Sequence, residues 1–389
     1  DQQQIIEKID IGGISLIRAA AKNYEDVLVI PSAEQYDKLI QLLEEKNGYS
    51  ELADRKYFAV CAFAVSSHYD TTIYNWINDG ELQAFRQSSN KANVLRYGEN
   101  PQQKGTFYGN LTDLFEQLNG KALSYNNLLD IDAGLSLLSE FNTTTFAIIK
   151  HNNACGLASR KSLSHAYQDA LAGDSVSAFG GVLICNETVD IQTAEAVNKL
   201  FFEIIAAPEF EKKALQLLRS KKNRIILCLK AFDYPDKQFK SILNGILEQD
   251  RDRETESAAD FNLVTKKQLN SSQVEDLVFA NKIVKHTRSN AIVLAKNAQL
   301  LASGIGQTSR VDALKHAISK ARENGFDLKG SVLASDAFFP FADSVEIAAK
   351  AGIEAIVQPG GSIRDQESID ACNKLELGMV FTGKRHFKH

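Results

Sequence analysis

The sequence has 389 residues, which allows two or three domains and a large hydrophobic core. Hydrophobic residues make up 44% and charged residues 24% of the chain, as in ordinary globular proteins. A formal net charge of -5 gives no basic surface for a nucleic acid. No apolar stretch approaches the ~20 residues that cross a bilayer. We therefore expect neither a nucleic-acid partner nor a membrane.

The N-terminal stretch DQQQIIEKID has neither the charged nor the apolar region of a signal peptide. It opens in a helical pattern without an initiator methionine, so we expect a fragment of a longer protein. The five cysteines are far apart and none belongs to a C-x-x-C pair. We expect reduced thiols, no zinc site and a cytoplasmic location.

Residues 1–90 alternate helical and strand-like patterns. DIGGISLIRAAAKN (10–23) predicts a Gly-Gly turn and a helix, and DVLVIP (26–31) predicts a strand. Ser32 and Gln35 are spaced for a capping box before a third segment. KYFAVCAFAVSSHYDTTIYNWI (56–77) predicts a long, mostly buried helix. The polar stretch GELQAFRQSSNKANV (80–94) places a domain boundary near residue 90.

The region 91–389 predicts an α/β fold, because buried strands alternate with helices. Strands are expected in TTFAIIK, FGGVLICN, RIILCL, NAIVLAK, QLLASG, GSVLAS and EAIVQP. Helices are expected around 162–172, 191–202, 272–283, 311–323 and 344–351. The charge-rich residues 236–260 predict a surface excursion between two halves. TTFAIIK-HNNACG and GSVLAS-DAFFPFAD share a layout, which suggests a duplicated subdomain.

Four polar residues, Lys150-His151-Asn152-Asn153, end the first of these strands. A lysine charge disfavours the imidazolium form of a neighbouring histidine, which would leave His151 available as a base. The lysine could also hold an anion. Ligands of open α/β sheets gather at carboxyl ends of strands, where this cluster falls. A solvated strand end explains the pattern equally well.

Several other stretches could bind a ligand, although each has a structural explanation. Arg96 and Tyr97 in LRYGENPQQ could hold an anion and stack on a base, or belong to a plain loop. SVSAFGG (175–181) and GIGQTSR (304–310) are glycine-containing turns, the second with Ser309 and Arg310 available to anions. Neither stretch is a P-loop or a dinucleotide motif.

Two further stretches lie near the C-terminus. SDAFFPFAD (335–343) would suit a wall for a flat ring, or a corner of the core. GKRHFKH (383–389) is a cationic tail that is either frayed or closed over an anion. Near the N-terminus, Asp10 precedes a glycine turn and would serve as a helix cap. Neither the H-x-E with P-C-x-x-C pattern of zinc deaminases nor G-x-S-x-G occurs.

Taken in order, these stretches resemble the bifunctional purine-biosynthesis family that joins AICAR transformylase to IMP cyclohydrolase. The resemblance covers nearly the whole chain and rests on LRYGENPQQ, SYNNLLDIDA, IIKHNNACG, SAFGG, FFEIIAAPEF, TRSNAIVLAKN, GIGQTSR, SDAFFPFADSV and RHFKH. It implies two cytidine-deaminase-like α/β subdomains in 91–389, split near 235–270. It also implies that residues 1–90 are the C-terminal part of a methylglyoxal-synthase-like cyclohydrolase domain.

The resemblance implies formyl transfer from 10-formyltetrahydrofolate to the 5-amino group of AICAR. The catalytic residues would be Lys150, His151 and Asn290, with His151 as the proton acceptor and Asn290 bonded to the formyl oxygen. The implied AICAR-binding residues are Arg96, Tyr97, Asn127, Gly180, Glu203, Arg385 and His389. The implied folate-binding residues are Ser309, Val311, Phe338, Pro340, Asp343 and Ser362. A homodimer with shared sites and a loosely bound potassium ion are further implications.

The family's cyclohydrolase domain begins about a hundred residues before the D-I-G-G motif. Asp10 and Lys22 match two of its active-site residues without the elements that accompany them, so we expect impaired ring closure of formyl-AICAR. Two alternatives remain. A nucleotide deaminase on the same kind of fold would need zinc ligands. A catalytically inactive nucleotide- or folate-binding paralogue would not need a base such as His151.

Overall fold

The computed structural model describes residues 1–389 and contains two compact units. Unit 1 comprises residues 1–94 and 106–110, and unit 2 comprises 95–105 and 111–389. The helices of unit 1 are α1 (Gln2–Glu7), α2 (Gly12–Lys22), α3 (Tyr36–Glu45) and α4 (Leu52–Ile77). Its strands β1 (Ala92–Val94) and β2 (Thr106–Tyr108) pair antiparallel.

Three expectations for unit 1 are wrong. Residues 26–31 form no strand, because no neighbouring strand is available to pair with them. Ser32 caps a short 3-10 turn, Ala33–Gln35, by accepting from the Glu34 N–H, and makes no capping box with Gln35. Helix α4 is long but mainly exposed, and its buried residues are Phe58, Ala59, Ala62 and Ser66.

Unit 2 is a mixed α/β structure built on one large sheet. This confirms the predicted α/β fold class. Its first half contains β3 (Phe115–Asn119), α5 (Tyr125–Leu138), β4 (Thr145–Lys150), β5 (Asn153–Ser159), α6 (Leu163–Gly173), β6 (Val182–Cys185), α7 (Ile191–Val197), β7 (Ile204–Ala207), α8 (Lys212–Leu218) and β8 (Ile225–Leu229). An exposed hairpin follows, β9 (Lys237–Ile242) and β10 (Gly245–Asp250), in the segment that the sequence predicted to be a surface excursion.

The second half repeats the order of elements of the first. It contains β11 (Asn262–Leu263), α9 (Ser271–Lys285), β12 (Ile292–Lys296), β13 (Gln299–Gly304), α10 (Arg310–Glu323), β14 (Ser331–Ser335), α11 (Asp343–Ala351), β15 (Ile353–Gln358), α12 (Asp365–Lys374) and β16 (Gly378–Phe381). The strands join in the order β11-β16-β15-β14-β12-β13-β5-β4-β6-β7-β8-β3. This order is the same in each half when it is read outward from the central β13–β5 pair.

The topology corrects the internal pairing expected from the sequence. Hairpin β4–β5 matches hairpin β12–β13, whereas β14 matches β6. TTFAIIK-HNNACG is therefore the counterpart of NAIVLAK-NAQLLASG and not of GSVLAS-DAFFPFAD. The layout seen in the sequence was a poor guide because any buried strand that ends in polar residues produces it.

Alternation along the strands separates the two faces of the sheet. Ala147 and Ile149 of β4 pack in a core cluster with α5 and α9, whereas Phe146 and Ile148 pack with α6, α7 and α8. Helices α10, α11 and α12 cover the second half on the same face as α6, α7 and α8. The β4 strand is buried on both sides, which explains its continuous apolar run. The active-site candidates therefore have to lie at the edges where strands end.

Candidate active site

A two-residue turn joins β4 to β5 and carries His151. Both His151 (φ 50°) and Asn152 (φ 64°) adopt left-handed backbone conformations, which is the arrangement of a type I′ hairpin turn. Asparagine tolerates this conformation well, and histidine does so less often. The turn presents His151 with an exposed side chain at the end of a rigid strand.

Asp130 of α5 and the two asparagines hold this turn. The Asn152 N–H donates to Asp130 Oδ1 at 2.7 Å. Asn153 Nδ2 donates to the His151 carbonyl at 2.9 Å, and its Oδ1 accepts from the Arg288 N–H at 3.0 Å. Asn152 and Asn153 therefore have a structural role in holding the turn. Asp130 was missed, because nothing in SYNNLLDIDA distinguishes it from other polar residues of a helix.

Lys150 reaches away from the turn toward the loop before β6. Its Nζ donates to the Phe179 carbonyl at 2.8 Å. Gly180 follows with a φ of 68°, and a Cβ at this glycine would lie 3.3 Å from Lys150 Nζ. Both the backbone conformation and the close approach favour glycine here. The geometry brings the predicted pair Lys150 and Gly180 together.

A second predicted pair, Asn127 and Glu203, lies beside this site. Asn127 Nδ2 donates to Glu203 Oε2 at 3.0 Å, and Lys121 Nζ lies 3.8 Å from Glu203 Oε1. Burial raises the pKa of the Asp130 carboxyl. The Glu203 charge acts in the same direction, while the Asn152 N–H, His151 and Lys150 oppose the shift. Asp130 is thus an incompletely compensated acid.

The second half contains a copy of this framework without the histidine. Lys296 Nζ donates to the Lys329 carbonyl at 2.6 Å, and Gly330 follows with a φ of 78°. Gln273 Nε2 donates to Glu354 Oε2 at 3.1 Å, in the manner of Asn127 and Glu203. The copied hairpin turn is Asn297-Ala298, with φ values of 53° and 49°. Asn297 thus stands where the first half has His151.

Asn290 is held in its loop by hydrogen bonds, one of them from an arginine that belongs to a buried ion pair. Its Nδ2 donates to the Gln307 carbonyl at 2.9 Å, and its Oδ1 accepts from Arg310 Nη1 at 3.0 Å. Arg310 Nη2 also donates to Asp336 Oδ1 at 2.7 Å. The expectation that Arg310 is available to anions is therefore wrong, since Arg310 is buried and fully engaged. Ser309 Oγ accepts from the Asp312 N–H and so caps the start of α10. Val311 lies in the first turn of that helix.

The phenylalanine cluster divides between core and surface. Phe339 is fully buried, whereas Phe338 and Phe341 are exposed at 37% and 49%. Pro340 is exposed, and Asp343 begins α11 with its Oδ1 accepting from the Ser344 N–H. Ser362 accepts from the Arg364 N–H in the loop after β15. The core interpretation of SDAFFPFAD is therefore confirmed for Phe339, whereas a wall for a flat ring at Phe338 and Phe341 stays a prediction.

The C-terminal tail is anchored, so the first of its two interpretations, a frayed terminus, is wrong. His386 is buried between Asp252 (2.6 Å) and Glu256 (3.0 Å). Burial lowers the pKa of His386, but these two acids outweigh it and raise the pKa to about 9. The Lys388 N–H donates to Ser289 Oγ at 3.0 Å. The side chain of Arg385 stacks on Phe387, whose ring also contacts that of His389.

Arg96 and Tyr97 lie together in the loop 95–105. The Arg96 guanidinium lies 5.3 Å from the Tyr97 ring centroid. Asn126 at the start of α5 donates to the Glu99 carbonyl at 3.1 Å and fixes the loop. The loop is therefore attached to the helix that also carries Asn127 and Asp130.

In unit 1, Asp10 is a helix cap. Its two carboxylate oxygens accept from the N–H groups of Gly13 (3.1 Å) and Ile14 (2.8 Å). Lys22 lies at the other end of α2, about 18 Å away at 1.5 Å per residue. The two side chains therefore occupy opposite ends of the same helix.

The strand register places most candidates of unit 2 along one edge of the sheet. β4 and β6 are antiparallel, so Gly180 and Glu203 lie where β6 and β7 begin, beside the end of β4. The candidate residues therefore lie at the carboxyl ends of some strands and at the amino ends of others. Asn290 lies at the start of β12, and Phe338, Ser362 and Arg385 follow the ends of β14, β15 and β16. The copied framework around Lys296 lies at the opposite edge.

No group of three or more His, Cys, Asp or Glu side chains is arranged to hold a metal ion. The five cysteines are all free thiols. No helix combines the length and the apolar character that crossing a membrane requires.

Comparison with known proteins decides the family. The family model described as "AICARFT/IMPCHase bienzyme" matches residues 20–320. The bifunctional purine biosynthesis protein PurH of Bacteroides thetaiotaomicron is 59% identical over 388 residues, which are 100% of this chain and 76% of that protein. The chain belongs to the AICARFT/IMPCHase bienzyme family.

Relatives from other bacteria agree with this assignment. PurH of Caldicellulosiruptor saccharolyticus is 46% identical, covering 100% of this chain and 77% of that protein. PurH of Aquifex aeolicus is also 46% identical, with 100% and 78% covered. The predicted enzyme class, AICAR formyltransferase in a family that also carries IMP cyclohydrolase, is confirmed.

Among solved structures, dCMP deaminase from the cyanophage S-TIM5 matches with a TM-score of 0.20 and 20% identity, covering 23% of this chain and 76% of that one. A TM-score this low supports no conclusion about the fold or function of this chain. The deaminase-like character of its two halves therefore stays a prediction.

Proposed function

We propose that unit 2 transfers the formyl group of 10-formyltetrahydrofolate to the 5-amino group of AICAR, with His151 of its first half as the base. One observation carries the proposal: the two halves share the lysine, glycine, amide and carboxylate of the framework, and His151 is the chemical group that the first half adds. A framework that merely stabilises the fold would not need a base at this turn.

The reaction needs a proton acceptor because the amine of AICAR is conjugated with its ring and is a weak nucleophile. The amine nitrogen attacks the formyl carbon while His151 removes a proton from the amine. The tetrahedral intermediate then collapses with cleavage of the bond to the folate nitrogen, which takes up a proton. The products are formyl-AICAR and tetrahydrofolate. Lys150, adjacent to His151, would stabilise negative charge on the formyl oxygen or the leaving nitrogen.

We assign Asn290 to the formyl oxygen as a proposal carried over from the family resemblance. For this role Nδ2 would exchange its bond to the Gln307 carbonyl for one to the developing oxyanion. The folate-side candidates are Ser309, Val311, Phe338, Pro340, Asp343 and Ser362. These assignments are supported by position, because the exposed residues Phe338 and Pro340 lie on the same edge of the sheet as Asn290.

The proposed AICAR-binding residues are Arg96, Tyr97, Asn127, Gly180, Glu203, Arg385 and His389. We also propose a homodimer with shared sites. β5 and β13 lie between β4, which ends just before His151, and β12, which begins just after Asn290. These two strands are therefore three strand spacings, about 14 Å, apart. This separation favours a site completed by a second subunit.

The family resemblance also implies a potassium ion. Asp336 Oδ2 is buried and has no hydrogen-bond partner, which is the kind of oxygen that such an ion would use. Its other oxygen already faces Arg310, so an ion here would be weakly held. Potassium therefore stays a proposal.

Tetrahydrofolate release from AICAR and 10-formyltetrahydrofolate is the deciding experiment. Turnover that disappears when AICAR is omitted supports the proposal. Binding of both ligands without turnover would identify a catalytically inactive paralogue instead. A His151→Ala variant with near-normal rate would overturn the assignment of the base.

Three further proposals follow the family resemblance. Residues 1–90 belong to a cyclohydrolase domain and 91–389 to the transformylase domain, whose cytidine-deaminase-like subdomains divide near 235–270. Ring closure of formyl-AICAR is weak in this chain, because both carboxylate oxygens of Asp10 are used in capping α2. A cytoplasmic location is proposed from the free cysteines.

A further inference from the structure

The two hairpin turns are each held by an aspartate from the helix above. Asp276 lies 146 positions after Asp130 (276 − 130), and Asn297 lies 146 positions after His151 (297 − 151). Both aspartates accept hydrogen bonds from backbone N–H groups of their turns. The second half therefore shows which hydrogen bonds an aspartate at this position makes when its turn has no histidine.

The hydrogen bonds of the two aspartates differ. Asp276 uses both oxygens on the backbone: Oδ2 accepts from Asn297 at 2.8 Å and Oδ1 from Ala298 at 2.7 Å. Asp130 uses only Oδ1, for Asn152, and this leaves Oδ2 free of the turn's backbone. Asp276 is buried, whereas Asp130 is partly exposed.

We propose that Asp130 is a positioning residue for His151: Oδ1 fixes the turn, and the charge on the free Oδ2 orients the imidazole and stabilises it when it takes up the substrate proton. The inference rests on the proposed formyl transfer. It extends that function to a residue outside the set that the sequence indicated. Asp276 has the purely structural version of the same role.

Charge compensation around Asp130 agrees with this role. The titratable groups that act on it are His151 and Lys150 on the turn and Glu203 before β7. Burial raises the pKa of Asp130, so the ionised carboxylate destabilises the native state at neutral pH. A residue kept only for stability would be expected to have both carboxylate oxygens bonded to the turn, as Asp276 does by accepting from two N–H groups.

The variants Asp130→Asn and Asp276→Asn separate the two roles in the full chain. Asparagine at 130 still accepts from the Asn152 N–H, so the melting temperature should not fall. Asparagine at 276 places an NH2 group against a backbone N–H, so the melting temperature should fall. We expect Asp130→Asn to lower kcat at least about tenfold, or about 1.4 kcal/mol, with the KM for AICAR changed less than about threefold. Asp276→Asn should leave kcat within about twofold, provided that the assay temperature is below its melting transition.

An activity-independent measurement uses protein labelled with 15N-histidine. The chain has seven histidines, and the ring signal that is lost in His151→Asn identifies His151. Asp130→Asn should move this signal and Asp276→Asn should not. Unchanged kcat and an unmoved His151 signal in Asp130→Asn would overturn the inference. If the wild-type chain released no tetrahydrofolate, the proposed function would fail, and the NMR comparison alone would decide the role of Asp130.

Discussion

The ammonium group of Lys150 lies 2.8 Å from the carbonyl oxygen of Phe179, immediately before Gly180. Lys296 makes the same contact with the carbonyl of Lys329 before Gly330 in the other half. The geometry of Lys150 is therefore a property of the repeated fold. Its proposed catalytic role depends on the neighbouring histidine, which the copy lacks.

Lys150→Met and Lys296→Met should separate fold from catalysis. Methionine keeps most of the stem and removes the charge. We expect Lys150→Met to lower kcat by about 10²–10³-fold, in the range of a lost transition-state donor. Lys296→Met should change only the free energy of unfolding, by about 1 kcal/mol. Tetrahydrofolate release and urea unfolding measure the two effects, and similar losses of activity in both variants would refute the distinction.

His151→Asn copies the residue that the second half uses in its turn. Because Asn297 adopts a φ of 53° and His151 one of 50°, asparagine should fit without strain. We expect the melting temperature to stay within about 2 °C, a stability change below roughly 1 kcal/mol. Activity should fall about 10²–10⁴-fold, as for a lost general base. A folded variant that retained a tenth of the wild-type kcat would exclude His151 as the base.

Much of unit 2 could be predicted from its sequence because its strands are buried on both faces. Continuous runs such as TFAIIK identify strands without any partner information, and the seven expected strands all form. Local pattern failed where a structure depends on distant partners. DVLVIP has the composition of a strand but no neighbour to pair with, and the anchoring of His386 requires Asp252 and Glu256 from a remote segment.

The site could be predicted only in part, for a related reason. Lys150 and His151 stand out because they end an apolar run. Asp130 acts through one hydrogen bond to a backbone N–H, which leaves no pattern in a single sequence. Comparison at a spacing of 146 residues would have matched Asp130 with Asp276 and Lys150 with Lys296, but few other residues are identical in this alignment.

Stability should fall at alkaline pH as His386 loses its proton. Its pKa is raised to about 9 from 6.5 by Asp252 and Glu256, against the effect of burial. A raised pKa means that the contribution is complete below pH 6.5 and is lost as the pH rises through about 9. The shift corresponds to about 3 kcal/mol. Urea unfolding at pH 7 and pH 10 should show this loss, and His386→Phe should reduce the difference between the two pH values.

The ion pair of Glu140 with Lys285 (2.7 Å), together with the hydrogen bond between Glu140 and His286 (2.9 Å), should be a main support between α5 and α9. Burial alone would raise the pKa of Glu140, but hydrogen bonds from His286, Lys285 and Thr255 lower it to about 2. Glu140→Gln leaves Lys285 as an uncompensated buried charge, so we expect a loss of about 3–5 kcal/mol in the free energy of unfolding. The exposed Glu116→Gln is the matched control and should cost less than about 0.5 kcal/mol.

The acid limb of the stability curve provides a second measurement on the same group. A lowered pKa means that the contribution of Glu140 is complete above pH 4.5 and is lost as the pH falls through about 2. Wild-type protein should therefore lose stability between these values more steeply than Glu140→Gln. Parallel acid limbs in the two proteins would show that other carboxylates dominate acid unfolding.

Ring closure of formyl-AICAR should be slow compared with formyl transfer in this chain. Both oxygens of Asp10 accept N–H groups of α2, and Lys22 lies about 18 Å away at the far end of that helix. Asp10→Asn should therefore lower the stability of unit 1, because the amide keeps one acceptor but turns its NH2 group toward the second backbone N–H. It should leave tetrahydrofolate release unchanged. The measurement is IMP formation from formyl-AICAR, followed separately from the transfer step. Rapid IMP formation that Asp10→Asn abolishes would show that Asp10 is catalytic as well as a cap.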